Sequence, residues 1–156
     1  MLNVSKLLGE LQQLTIYPEK WDQGFWAVPA IDPETKRPSA CGSYGCIAGN
    51  TLIHNEYTLI WKENPMVGYF DEASQDRHRW IAEDAEDSNG NRRTIEAHAA
   101  KELGLTPWQA EILFDPDNTE ADLWEHAERF SGGQISDWDY RLAKESRAAR
   151  ALRESK

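Results

Sequence analysis

Cys41 and Cys46, the two cysteines of this protein, stand close to His54 in the chain, and no other stretch gathers so much reactive chemistry. They lie in Ala40-Cys41-Gly42-Ser43-Tyr44-Gly45-Cys46-Ile47-Ala48-Gly49-Asn50, where an irregular segment rich in Pro and Trp gives way to an apolar run. That run reads as a buried helix, which places Cys46 at a helix N-terminus. The positive end of a helix stabilises a thiolate and lowers its pKa. Cys46 is therefore the candidate nucleophile, with His98 or His126 as its base if the fold joins them. The bland alternative is that Cys46 is a small buried hydrophobe, as free cysteine commonly is. Cys41, Cys46 and His54 also make a thin candidate set for zinc. A structural zinc takes about four ligands, usually from cysteine pairs at closer spacing than this one. No second pair exists.

Two further segments bear on binding. Residues 94 to 114 have the outline of a helix-turn-helix, but the second helix offers Trp108, Gln109 and Glu111 and no basic residue. A reader of base edges would present Arg, Lys, Asn or Gln there. The pair is better explained as a plain helical hairpin. The last segment is strongly basic. Arg141, Lys144, Arg147, Arg150, Arg153 and Lys156 face only Glu145 and Glu154, so residues 141 to 156 carry +4 in a chain of net charge −10. The five arginines and lysines from Arg141 to Arg153 are the candidate partner-binding residues. Such a helix suits an acidic protein surface, nucleic acid or the acidic body of a second copy. No glycine-rich phosphate loop or paired-carboxylate constellation is present, and no cofactor is expected.

The elements that must position these residues are legible to different degrees. Val4, Leu7, Leu8, Leu11 and Leu14 recur at helical spacing and predict an amphipathic helix over residues 2 to 15, stopped by Pro18. Residues 19 to 40 read as a long loop pinned by Trp21, Phe25 and Trp26. Ile47 to His54 continues the cysteine stretch as a short buried helix in which Ala48 and Gly49 allow close approach. Tyr57 to Trp61 reads as a strand, with Met66 to Phe70 as its hairpin partner and Arg79 to Ala82 as a third strand. Asp84 to Asn91 reads as an acidic surface loop. Thr94, Thr106, Thr119 and Ser136 then mark four helix starts, with Gly104 as a left-handed stop and Pro107 at a first helical position.

The chain has 156 residues and 40% hydrophobic content. That is enough to bury a core without disulfides, and two cysteines make no disulfide framework. No apolar run reaches the roughly 18 residues of a membrane span, and the N-terminus lacks the features of a signal peptide. The expectation is a cytoplasmic protein with no membrane partner. The fold class predicted is mainly α within α+β: a compact domain of five to six helices over residues 1–135 with a small antiparallel β element, followed by a partly exposed basic helix over 136–156.

Three blocks of sequence carry a resemblance. They are Tyr-Pro-Glu-Lys-Trp-Asp-Gln-Gly-Phe-Trp from Tyr17 to Trp26, Cys-Gly-Ser-Tyr-Gly-Cys-Ile-Ala-Gly from Cys41 to Gly49, and the Leu-Gly-Leu-Thr hairpin within Ala99 to Phe114. In this order they resemble a group of small proteins from actinobacterial phages and their hosts, over most of residues 2 to 131. The tail helix and Asn50 depart from the pattern. The resemblance implies provenance and fold and transfers no activity, cofactor or site residue. Seven tryptophans and strong acidity stand beside the lack of an assembled catalytic set. Tryptophan is common at interfaces. The sequence therefore favours a phage-type accessory protein that binds a host or phage protein without catalysis, in the host cytoplasm, with self-association as one form of that binding. The alternatives are a helix-turn-helix-like nucleic-acid-binding regulator and a cysteine-dependent enzyme using Cys46.

Overall fold

In the computed structural model, which describes residues 1–39, 42–72, 75 and 78–156, the first helix starts where the sequence supplies a cap. Asn3 accepts a hydrogen bond from the Lys6 N–H at 3.1 Å, and α1 runs Val4–Ile16. Its stripe of Leu7, Leu11 and Leu14 is buried. Pro18 cannot extend the helix. A single 3-10 turn, Pro18–Lys20, follows.

The segment from Trp21 to Ser39 has no regular element and is stitched down by backbone bridges. Trp21 pairs with Gly45, Val28 with Tyr44 and Ile31 with Pro38. Gln23, buried in this segment, is a polar junction. Its Nε2 donates to the carbonyls of Leu113 and Asp115 at 3.3 and 3.0 Å. Its Oε1 accepts from Trp21 Nε1 at 3.1 Å and from the Ile47 N–H at 3.3 Å. All of its hydrogen-bonding capacity is used, which is the condition for burying an amide.

Helix α2, Ile47–His54, is buried through most of its length and packs chiefly on α3, Ile95–Leu103. Gly49 does permit a close approach, but what approaches it is a loop and not a helix. A Cβ at Gly45 or Gly49 would overlap the carbonyl of Trp26, so the glycines admit the loop backbone. Asn50, which departs from the pattern of the resemblance, is buried and uses its amide for the same junction. It accepts from the Gly45 N–H at 2.8 Å and donates to the Lys20 carbonyl at 3.0 Å.

Three antiparallel strands follow in the order β1 (Thr58–Glu63), β2 (Trp80–Glu86), β3 (Arg92–Thr94). Met66 to Phe70 is not the hairpin partner of β1, because residues 80–86 take that edge; Val67–Tyr69 is a 3-10 turn. The acidic stretch from Asp84 is likewise more than a surface loop. Its first half completes β2, and the turn is confined to Asp87–Asn91, where the Asp87 carboxylate accepts from the Asn89 and Asn91 N–H groups. The ladder passes from Ile60↔Asp84 to Trp61↔Ala82, leaving Glu83 unpaired as a bulge. The extra residue changes the phase of alternation. Ala82 and Ala85 accordingly both face the core.

The remaining helices begin at the four expected caps. Thr94 starts α3, Thr106 starts α4 (Pro107–Leu113), Thr119 starts α5 (Glu120–Phe130), and Ser136 starts α6 (Asp137–Glu154). Thr106 and Thr119 carry reciprocal capping boxes with Gln109 and Asp122, and at Ser136 the N–H and the hydroxyl both donate to the Asp139 carboxylate. Gly104 ends α3 at φ 68°, and the Met1 carbonyl lies where its Cβ would be. Glycine is required there twice over. The architecture is therefore mainly helical with a small antiparallel sheet. No helix among the described residues is long and apolar enough to cross a membrane.

Candidate functional site

Cys46 caps α2 with an extended backbone (φ −68°, ψ 177°), the geometry that would aim a thiol at the helix end. Its side chain lies in a small recess with Gln23, Phe25, Trp26 and Phe114. The residue is 2% exposed. Burial pushes the thiol up to about 11, and the N–H groups of Gly49 and Ala48 only partly offset that. Desolvation disfavours the charged form of any buried acid. At neutral pH Cys46 is a protonated, enclosed thiol.

The two candidate histidine bases line other parts of the fold. His98, buried on α3, uses its Nε2–H on the Asn91 carbonyl at 3.0 Å, with its ring 4.8 Å from that of Tyr57. It locks the β2–β3 turn against α3. His126, on α5, accepts from Arg129 Nη2 through Nδ1 at 2.6 Å and donates through Nε2 to Asn118 Oδ1 at 3.1 Å. Both of its ring nitrogens are occupied, and the second ties α5 to the turn before it.

Of the zinc candidates, Cys41 lies outside the described residues. Cys46 and His54 sit at opposite ends of α2, two turns of helix apart. His54 Nδ1 is engaged instead by Glu10 at 2.9 and 3.0 Å. Among the described residues no group of three or more His, Cys, Asp and Glu side chains is placed to hold a metal ion.

The helical pair α3–α4 offers little to a base edge. Gln109, its one amide near the second helix start, spends its side-chain oxygen on the Thr106 N–H at 3.0 Å. Trp108 is exposed and packs at 6.0 Å on the Phe130 ring.

The basic helix α6 divides its residues by face. The inner face is Tyr140, Ala143, Arg147 and Arg150. Tyr140 stacks on Trp124 at 4.9 Å, and Trp124 Nε1 in turn donates to Thr15 Oγ1 on α1 at 2.9 Å. Arg147 binds both oxygens of Glu120 at 3.2 and 3.0 Å. Arg150 spans to Glu19 at 3.1 and 2.5 Å, to the Ile16 carbonyl at 2.9 Å, and lies 4.4 Å over the Tyr17 ring. Two of the five candidate partner-binding cations are thus spent within the molecule.

The outer face of α6 is different. Trp138, Leu142 and Leu152 are 61%, 43% and 64% exposed. With Glu145 and Ala149 they form one stripe, flanked by Arg141, Lys144 and Arg153. Residues three and four apart on a helix are surface neighbours, which is what joins them. Arg141 reaches Asp137 at 3.3 Å, and Lys144 lies over Tyr140 at 4.2 Å. The open Arg141 pair contributes little. Among the described residues no other element exposes as many large hydrophobic side chains as α6, which also carries the cations left over from docking. Spacing alone puts Ala143, Arg147 and Arg150 on one face of the helix, but it does not tell which face docks, because Trp138 and Leu142 make the other face the more apolar one. No family model, curated protein or solved structure matches the chain.

Proposed function

We propose that the chain is a non-enzymatic binding protein, of the phage-type accessory kind its sequence resembles, that works in the host cytoplasm by laying the outer face of α6 on an acidic protein surface. The observation that carries this is the stripe of Trp138, Leu142 and Leu152 edged by Arg141, Lys144 and Arg153. An aromatic anchor with adjacent aliphatics and a cationic rim is the usual composition of a helix that binds in a groove. Arg147 and Arg150 hold the opposite face to the body, so the stripe is presented pre-ordered. A pre-ordered surface loses little entropy on binding. The rim cations select an acidic partner and speed its capture.

The test compares the wild-type chain with a Trp138→Ser, Leu142→Ser double variant as baits in host lysate. Both sites are exposed, so the variant keeps its fold. The expected result is an acidic protein retained by the wild type, released as salt is raised, and lost from the variant. Identical retention by both baits overturns the proposal. A change from dimer to monomer in light scattering reassigns the face to self-association.

A further inference from the structure

Glu10 lies on the buried side of α1 among Leu7, Leu11 and Leu14. A carboxylate in such a position costs several kcal/mol unless it is paired. Its side chain is 8% exposed, and both its oxygens lie within 3.0 Å of His54 Nδ1. His54 is the last residue of α2. The negative end of the helix dipole there also favours a cation. With Nδ1 held by the carboxylate, the ring turns its Nε2 edge away from Glu10, and 44% of the side chain is open.

The open part lines a cleft of about 190 Å³ bounded by Tyr17, Lys20, Ser43, Tyr44 and Asn50. Lys20 is fixed there by its backbone, through the Asn50 amide, and its ammonium group lies 6.0 Å from the centre of the Tyr17 ring. Among the described residues no carboxylate forms an ion pair with it. The hydrogen bond that His54 donates to the Glu10 carboxylate holds it above the usual histidine range, while burial and the charge of Lys20 act against it. Lys20 and His54 both line the cleft. The His54 imidazole is a second cation there whenever it is protonated, with Glu10 paired to it, in a protein whose net charge is −10. The titratable groups around His54 are Glu10, which pairs with it, and Tyr17, Lys20 and Tyr44, which line the same cleft.

We propose that this cleft binds a small organic monocarboxylate, its anionic group between Lys20 Nζ and His54 Nε2 and its body against Tyr17 and Tyr44. With His54 protonated the cleft carries one surplus positive charge, which one carboxylate matches. The volume lies below the roughly 300 Å³ at which drug-sized sites begin, so the ligand is a short acid. The tyrosine rings and the apolar side chains of Leu14 and Ile53 suit an aromatic or aliphatic body. The buried Glu10 is then the positioning residue that orients the imidazole, as carboxylates commonly orient functional histidines.

The probe is benzoate, with acetate and inorganic phosphate as comparison arms, followed by NMR of the His54 ring in the full chain. Benzoate is expected to shift the His54 resonances saturably and to raise the titration midpoint of His54. By linkage, its affinity then falls as pH rises through that midpoint. Lys20→Met, at an exposed position, keeps the fold. It is expected to weaken benzoate binding about tenfold, the size of one charge-assisted hydrogen bond. Absence of a saturable shift, or equal affinity in Lys20→Met, overturns the proposal. Tighter binding of phosphate than of benzoate overturns the choice of ligand class.

Discussion

A thiol at a helix start is acidified by the N–H groups beneath it, yet Cys46 is pushed the other way because Phe25, Trp26 and Phe114 exclude the water a thiolate needs. Burial wins over the helix end here because desolvation penalises the charged form directly. The helix start is local and readable, whereas the exclusion comes from residues far from Cys46 in the chain on both sides. Gly49 controls that enclosure, since a Cβ there meets the Trp26 carbonyl. We expect native Cys46 to alkylate only through opening of the fold. Gly49→Ala, at a cost of about 3 kcal/mol, should then speed alkylation of Cys46 about a hundredfold at neutral pH. Mass spectrometry localised to Cys46 reads this, and rapid native alkylation would restore the enzyme reading. Glu10 is hard to read from sequence for the opposite reason. Helical periodicity counts apolar residues, and a carboxylate on the buried side registers only as a gap in the stripe. Its partner, His54, lies on another helix and gives the gap its meaning only once the fold is formed.

At the scale of elements, the helices are legible in the sequence and the sheet only in part: the strands at Thr58–Glu63 and Trp80–Glu86 are signalled, their pairing is not. Thr94, Gly104, Thr106, Thr119 and Ser136 act on backbone groups within a few residues, so their meaning survives without tertiary information. The second strand reads short because Glu83-Asp84-Ala85-Glu86 has poor strand propensity. It is held there by pairing with β1 and β3 and by the bulge that turns Ala85 inward. The locality of the caps makes them testable singly. The Thr119 hydroxyl accepts from the Asp122 N–H at 3.2 Å. Thr119→Ala removes it and is expected to lower stability by about 1 kcal/mol in urea denaturation, with an unchanged m value. A loss several times larger would mean that the cap also organises the Asp115–Asn118 turn before it.

For the whole molecule, the distribution of charge sets what the basic tail can do. The positive end helix and the acidic body meet first within one chain. Glu120 takes Arg147, while Glu19 and the open carbonyl of Ile16 take Arg150. The carbonyls at the end of a helix have no intrahelical partner, so Arg150 satisfies a group that α1 itself cannot. Apolar docking of α6 is confined to Tyr140 and Ala143 near its start, and beyond them the arginines are the attachment. Removing them should therefore free the far half of the helix and leave the core of α1, α2 and α3 intact. We expect an Arg147→Ala, Arg150→Ala double variant to exchange the amides of residues 145 to 154 about tenfold faster, with those of α2 unchanged. Both pairs are partly open to solvent. High salt should therefore produce a weaker version of the same effect in the wild-type chain. The same variant keeps Trp138, Leu142, Arg141 and Lys144 but loses the rigidity that presents Leu152 and Arg153 with them. Partner capture by the α6 stripe should then weaken without vanishing, whereas the Trp138→Ser, Leu142→Ser variant abolishes it. Equal capture by the arginine variant and the wild type would show that the stripe does not need to be held against the body.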